Sequence, residues 1–200
     1  MTSTLYPALS LYTESSPNPN SMKFVVNFPL APEGLSFDYA DASEALINGK
    51  NSPLVVALFG FDYVKRVFIA SNFITVTKDE QTEWEDVLIE VKQYIRAYFN
   101  DQKPVFAQQT IDSNTTKVEA DSPTIQKIKS VLDQYIRPAV ESDGGAISFH
   151  SFNDEDGTVK VLLQGSCSGC PSSTLTLKAG IENLLTRLVP EVKQVEAEGV

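Results

Sequence analysis

A polar stretch without a sustained hydrophobic period, residues 103–121, interrupts this chain of 200 residues. It is rich in Gln, Thr, Asn, Ser and Asp, a composition typical of a flexible linker. Hydrophobic patterning is present on both sides of it, so we expect two separate cores rather than one. We therefore predict two small domains, residues 1–102 and 122–200, joined by a linker over residues 103–121.

The first predicted domain mixes strands and helices. Apolar and other residues alternate over residues 22–28, which predicts a strand, and residues 64–70 and 73–77 predict a β-hairpin. Ser52-Pro53 predicts the start of a helix, with Ser as the N-cap and Pro in the first turn. Residues 84–99 carry apolar side chains at helical spacing, which predicts an amphipathic helix on the sheet.

The second predicted domain has the element order α-β-β-α-β, with a cysteine loop before its second helix. The apolar face of its first helix is assigned to Ile125, Ile128, Leu132, Tyr135 and Ile136, and that of its second helix to Leu175, Leu177, Ile181, Leu184, Leu185 and Leu188. Residues 146–152 and 158–163 predict a hairpin, and Val192 and Val195 a short last strand. The predicted fold class of the chain is α+β, that is, mixed α/β in two small domains.

The charge of the chain excludes several kinds of partner. Lys and Arg number 16 against 26 Asp and Glu, a formal charge of −10, and no basic cluster marks a nucleic-acid-binding face. No apolar run approaches the roughly 18 residues of a membrane span, so we expect no membrane partner. Residues 1–12 have neither a signal-peptide nor a transit-peptide pattern, which predicts a cytoplasmic protein, most simply a bacterial one. Its cysteines are then expected to be thiols.

Two cysteines and one histidine limit any soft-metal site in this chain. Cys167 and Cys170 lie three apart within the glycine-containing segment 165–173, and a short turn there can direct both sulfurs to one point. Pro171 suits the first turn of a helix, and the N-terminus of a helix favours a thiolate. Thiolate is the form that binds metal and that attacks disulfides, so the loop is suited to either chemistry.

These residues alone leave four interpretations of the cysteine pair open. It could be structural, or it could belong to a thiol–disulfide oxidoreductase, although that class expects the motif early in a βαβ pattern. A zinc ion or an iron–sulfur cluster usually needs four ligands, and one chain offers two cysteines. A two-fold dimer supplies four, so the remaining interpretations are a zinc-bridged dimer and a dimer that shares a 4Fe–4S cluster.

Other polar residues are expected to have structural roles. His150 lies in a predicted strand far from the cysteines in sequence, Asp143 precedes a Gly-Gly turn, and Asp154-Glu155-Asp156 forms a predicted hairpin tip. Trp84 falls at a core position of its helix. Because no nucleophile–base–acid set and no phosphate-binding glycine loop are visible, we predict that the chain is not an enzyme.

A family resemblance covers nearly the whole chain outside the linker. Residues 163–173, followed by 176–182, resemble the C-terminal module of NifU-type proteins, and Arg137-Pro138-Ala139 and Asp143-Gly144-Gly145 resemble further signatures of that module. The segment 16–24 resembles the start of the N-terminal domain of Nfu-type carriers, as do later segments: Pro53-Leu54, Leu58-Phe59 and residues 73–78. The chain lacks the cysteine-rich scaffold and ferredoxin segments of full NifU proteins, which favours a downstream carrier.

The resemblance implies a function for the two cysteines. Cys167 and Cys170 of two copies would hold a labile 4Fe–4S cluster between them and pass it to apo-proteins. The implied partners are a second copy of the chain, an upstream cluster scaffold and apo iron–sulfur client proteins. The N-terminal domain would be a recognition or docking module.

Overall fold

The computed structural model describes residues 5–47, 49–107, 122–168 and 171–199, with the backbone alone for residues 171–174. The chain divides into two compact units, Met1–Ser113 and Asn114–Val200. Both units combine helices with a sheet, which confirms the predicted α+β class in two small domains. Most of the predicted linker, residues 108–121, lies outside the described residues, and the domain boundaries stay predictions.

The first unit is built on a five-stranded antiparallel sheet in the order β1-β2-β5-β4-β3. Its strands are β1 Leu11–Ser15, β2 Ser21–Val26, β3 Ser36–Tyr39, β4 Val64–Ala70 and β5 Phe73–Lys78, and its helices are α1 Pro53–Leu58 and α2 Trp84–Asn100, with a 3₁₀ turn at Glu44–Leu46. The predicted hairpin and both predicted helices are present. The sequence patterns did not predict β1 and β3.

The core of the first unit lies between α2 and one face of this sheet. The buried face of α2 includes Trp84, whose ring lies 6.3 Å from that of Phe24. Residues 103–107, which follow α2, also pack on this unit. Val105 is buried, and its carbonyl accepts a 2.6 Å hydrogen bond from the hydroxyl of Ser52, the N-cap of α1.

The second unit has a three-stranded sheet in the order β6-β7-β8. Its elements are α3 Pro123–Val131, a π-helical turn Leu132–Ile136, α4 Arg137–Ser142, β6 Gly145–Asn153, β7 Thr158–Gly165, α5 Pro171–Leu188 and β8 Gln194–Gly199. Strands β6 and β7 pair antiparallel, and β7 and β8 pair parallel. Among the residues with described coordinates, no helix is long and apolar enough to cross a lipid bilayer.

Two residues of the predicted helix faces are exposed. Tyr135 is 52 % exposed and lies in the π-helical turn. Pro138 has no amide hydrogen to donate to the carbonyl of residue 134, so the helix widens there. The wider turn takes Tyr135 away from the face on which a regular α-helix would place it. Leu175 is 69 % exposed. At about 100° per residue it lies roughly 120° around α5 from the buried Ile181, so it was wrongly assigned to the apolar face.

Candidate metal centre

The cysteine loop follows β7 and leads directly into α5. Cys167 is buried, with 6 % of its surface exposed, and it belongs to the hydrophobic core of the second unit together with Leu163 and Ile181. The helix α5 begins at Pro171, as the sequence suggested. Cys170 lies outside the described residues, and the roles of Cys167 and Cys170 as ligands both stay predictions.

Gly145, the first residue of β6, lies against the thiol of Cys167. A Cβ on Gly145 would be 2.9 Å from Cys167 Sγ and 2.6 Å from the carbonyl oxygen of Gln164. No side chain fits in that space without moving the strand or the loop. The second glycine of the Asp143-Gly144-Gly145 turn is therefore required for the close approach of β6 to the cysteine loop.

Ser166 joins the loop to the same turn through hydrogen bonds. Its hydroxyl donates a 2.5 Å hydrogen bond to the Asp143 carbonyl oxygen, and its amide donates to the Gly144 carbonyl at 3.3 Å. Ser166 is itself only 2 % exposed, and its Oγ lies 3.9 Å from Cys167 Sγ. Gly165 has a φ of +67°, a backbone conformation that glycine adopts without strain, which allows the chain to turn out of β7 here.

Several residues considered from the sequence lie away from this loop. His150 is exposed and five residues along β6 from Gly145, about 16 Å at the usual strand rise, and its Nδ1 is 3.2 Å from Ser151 Oγ. The acidic hairpin tip around Asp156 is at the opposite end of the β6–β7 pair. Within the described ranges, no group of three or more His, Cys, Asp or Glu side chains could hold a metal ion.

The sequence patterns gave Ser166 and Gly145 no role of their own at the cysteines. Both stand in segments quoted for the family resemblance, but their contacts join residues about twenty positions apart. The available signal was the Gly-Gly pair, which indicates either a turn or a close approach of backbone. It was interpreted as a turn, and the close approach to Cys167 became visible only in the fold.

Two family descriptions match the chain, one for each unit. Residues 11–102 match the family described as scaffold protein Nfu/NifU N terminal, and residues 128–196 match the NifU-like domain. NifU-like protein 5, mitochondrial, of Arabidopsis thaliana is 41 % identical over 190 residues, covering 94 % of this chain and 67 % of that protein. The NFU1 iron-sulfur cluster scaffold homolog, mitochondrial, of Drosophila persimilis is 38 % identical over 189 residues, covering 94 % and 65 %.

These matches define a class of two-unit iron–sulfur scaffold proteins. The chain belongs to the NifU-like (Nfu-type) family, which confirms the resemblance drawn from its motifs. It also confirms that the chain is not an enzyme, since the family is one of cluster scaffolds and carriers. The chain spans about two thirds of the length of the relatives it matches.

One solved structure of similar description is the solution structure of a NifU-like protein from Saccharomyces cerevisiae. It is 23 % identical, covers 54 % of this chain and 91 % of its own, and has a TM-score of 0.43.

The predicted cytoplasmic location is wrong according to the comparisons. The Arabidopsis and Drosophila relatives are named as mitochondrial proteins. The prediction was based on the absence of a targeting pattern in residues 1–12. That absence says nothing about location in a sequence that spans only part of its relatives.

Proposed function

We propose that two copies of this chain bind a labile 4Fe–4S cluster between them through Cys167 and Cys170 and deliver it to apo-proteins. Membership of the family gives the broader role, iron–sulfur cluster assembly. The cluster is a cargo in this function, received from an upstream scaffold and released to a client. The first unit would recognise those partners.

The observation that supports this proposal most directly is the placement of the cysteine motif. It follows a buried strand and directly precedes an 18-residue helix, within the part of the chain that matches the NifU-like domain. The N-terminal amides of a helix favour thiolate, and thiolate sulfur is a preferred ligand of iron–sulfur clusters. With two cysteines in each chain, four thiolates require two copies.

The test is anaerobic reconstitution with iron and sulfide, followed by absorption spectroscopy and by iron and sulfide analysis. A shared 4Fe–4S cluster predicts about two irons per chain and a dimer. Cys167→Ser and Cys170→Ser should each abolish stoichiometric iron binding while leaving the far-ultraviolet circular dichroism unchanged, because alcohol oxygen is a poor ligand for this cluster. His150→Ala is the matched control, since it removes the only histidine and should keep the full cluster.

Delivery is tested by mixing the loaded dimer with an apo 4Fe–4S enzyme. Restored enzyme activity, with loss of iron from the dimer, supports the carrier function. A colourless protein that binds zinc in place of the cluster would contradict it. So would turnover of a disulfide substrate with a thioredoxin-type reductant and no cluster transfer.

A further inference from the structure

The thiol of Cys167 is turned into the second unit, although the proposed function needs it at an interface. Cys167 is 6 % exposed, and its Sγ contacts the start of β6 at Gly145, where no Cβ would fit. A cluster shared by two copies must bond to sulfurs of both, so each sulfur must be reachable from outside its own subunit. The described arrangement does not present Cys167 in that way.

Among the contacts described for this loop, two hydrogen bonds from Ser166 join it to the Asp143-Gly144-Gly145 turn. Its hydroxyl donates to the Asp143 carbonyl at 2.5 Å and its amide to the Gly144 carbonyl at 3.3 Å. Ser166 is 2 % exposed, so water does not replace these bonds unless the loop moves. We call this pair of bonds the Ser166 clasp.

We propose that the Ser166 clasp keeps the Cys167 thiol sheltered, and that the clasp must open before the thiol can bind a metal or react. Ser166 is thus a positioning residue, which sets the fraction of chains that present Cys167. The consequence for cluster loading depends on the proposed function, whereas the sheltering of the thiol is a property of the chain without a cluster. Gly145 allows the sheltered position, and the clasp maintains it.

The clasp predicts how fast Cys167 reacts with a thiol reagent. A buried thiol reacts only in the fraction of molecules that are locally open, so its rate reports the opening equilibrium. Removing one neutral hydrogen bond raises an opening constant by about 2- to 10-fold. Ser166→Ala should therefore accelerate the labelling of Cys167 by that factor.

The experiment uses the full-length, iron-free, reduced chain in a Cys170→Ser background, so that Cys167 is the one thiol. The rate of reaction with an aromatic disulfide reagent is measured for this protein and with Ser166→Ala added. Ser148→Ala, at an exposed position of β6, is the matched control and should leave the rate unchanged. A small cysteine peptide gives the rate of an unprotected thiol, which should exceed that of Cys167 at least 10-fold.

Two further measurements separate local opening from general loss of stability. The labelling rate should depend on urea much less steeply than global unfolding does, because local opening exposes little surface. In the unsubstituted chain, the Ser166 amide should exchange its hydrogen through the same opening constant. This second measurement needs no variant, so it holds even if Ser166→Ala fails to fold.

Three results would overturn the inference. Cys167 could react as fast as the peptide, or Ser166→Ala could leave the rate unchanged. The accelerated rate could also follow the urea dependence of global unfolding. Because labelling involves no iron, a protected Cys167 in a chain that binds no cluster would refute the proposed function alone. A cluster-binding chain with a freely reactive Cys167 would refute the clasp alone.

Discussion

Alanine at position 145 would place a methyl group where the Cys167 thiol and the Gln164 carbonyl already lie. The new Cβ would be 2.9 Å from the sulfur and 2.6 Å from the oxygen, both closer than real Cβ contacts. The oxygen belongs to the backbone of β7, which pairs with β6 from Gly145 to Asn153 and cannot move alone. The thiol and the start of the ladder must therefore both shift.

The expected cost follows from the packing of that space. Insertion of a methyl group into a closely packed site costs about 1–3 kcal/mol. For a domain of 60–100 residues each kcal/mol changes Tm by about 4–8 °C, so Gly145→Ala should lower Tm by at least about 4 °C. Gly180→Ala is the matched control, because its Cβ meets no heavy atom within 4 Å and Gly180 lies within α5. That change should stabilise the helix by about 0.5–1 kcal/mol.

Calorimetry of the full chain without iron, with circular dichroism to check the fold, measures both changes. The labelling assay adds a second readout, since a methyl group on Gly145 should displace Cys167 and raise its reactivity while Gly180→Ala does not. A Gly145→Ala protein with unchanged Tm and unchanged Cys167 reactivity would show that the strand and loop relax without cost. The close approach would then constrain neither the fold nor the thiol.

Further predictions concern the N-caps Ser52 and Ser122, the hairpin tip and assembly. Ser52→Ala should cost about 1–3 kcal/mol in urea unfolding followed by Trp84 fluorescence, because it removes both a cap and the bond to the buried Val105 carbonyl. Ser122→Ala, which loses only the cap, should cost about 1 kcal/mol by circular dichroism. The Thr158 hydroxyl and amide donate hydrogen bonds to the Asp156 carboxylate and hold its pKa below the ordinary value of 3.8. The stability that these bonds contribute is therefore present above pH 3.8, and it is lost as the pH falls through the lowered pKa. Thr158→Val should raise the pKa of Asp156 toward 3.8 in an NMR titration. If the cluster joins the subunits, sedimentation should find iron-free protein largely monomeric and reconstituted protein dimeric; equally tight dimers in both forms would contradict this.

Sequence patterns predicted the helix starts and the hairpin that are stabilised by contacts between residues close in the chain. The Ser-Pro pairs at residues 52–53 and 122–123 each begin a helix, and in both the serine side chain accepts the expected amide hydrogen bond. The hairpin of β4 and β5 was visible because two β-branched, aromatic runs flank Ser71-Asn72. In each case the neighbouring residues supply the stabilising contact, so the sequence alone was sufficient.

The missed elements depend on contacts from distant parts of the chain. Strand β1 has one buried residue, Leu11, and no strong alternation, and it forms because its backbone pairs with β2. Strand β3 is four residues long and pairs with β4, about thirty positions away in sequence. At the cysteine loop the sequence gave the number and spacing of the thiols. It did not give the buried orientation of Cys167, which depends on Gly145 and on the carbonyl of Asp143.

The sheltered thiol bears on how a carrier differs from a protein that retains its cluster. When a ligand must first leave a buried position, the apparent affinity for the cargo falls by the fraction of chains in the open state. A preorganised site has no such loss and suits a resident cluster. In the proposed carrier, the Ser166 clasp and the packing of Cys167 would compete with the cluster for the thiol, and the same competition would assist release to a client. Removing the clasp should therefore tighten cluster binding and slow delivery, so that Ser166→Ala takes up iron more readily but restores an apo-enzyme more slowly. A variant that loads and delivers at unchanged rates would show that the opening of this loop does not control transfer.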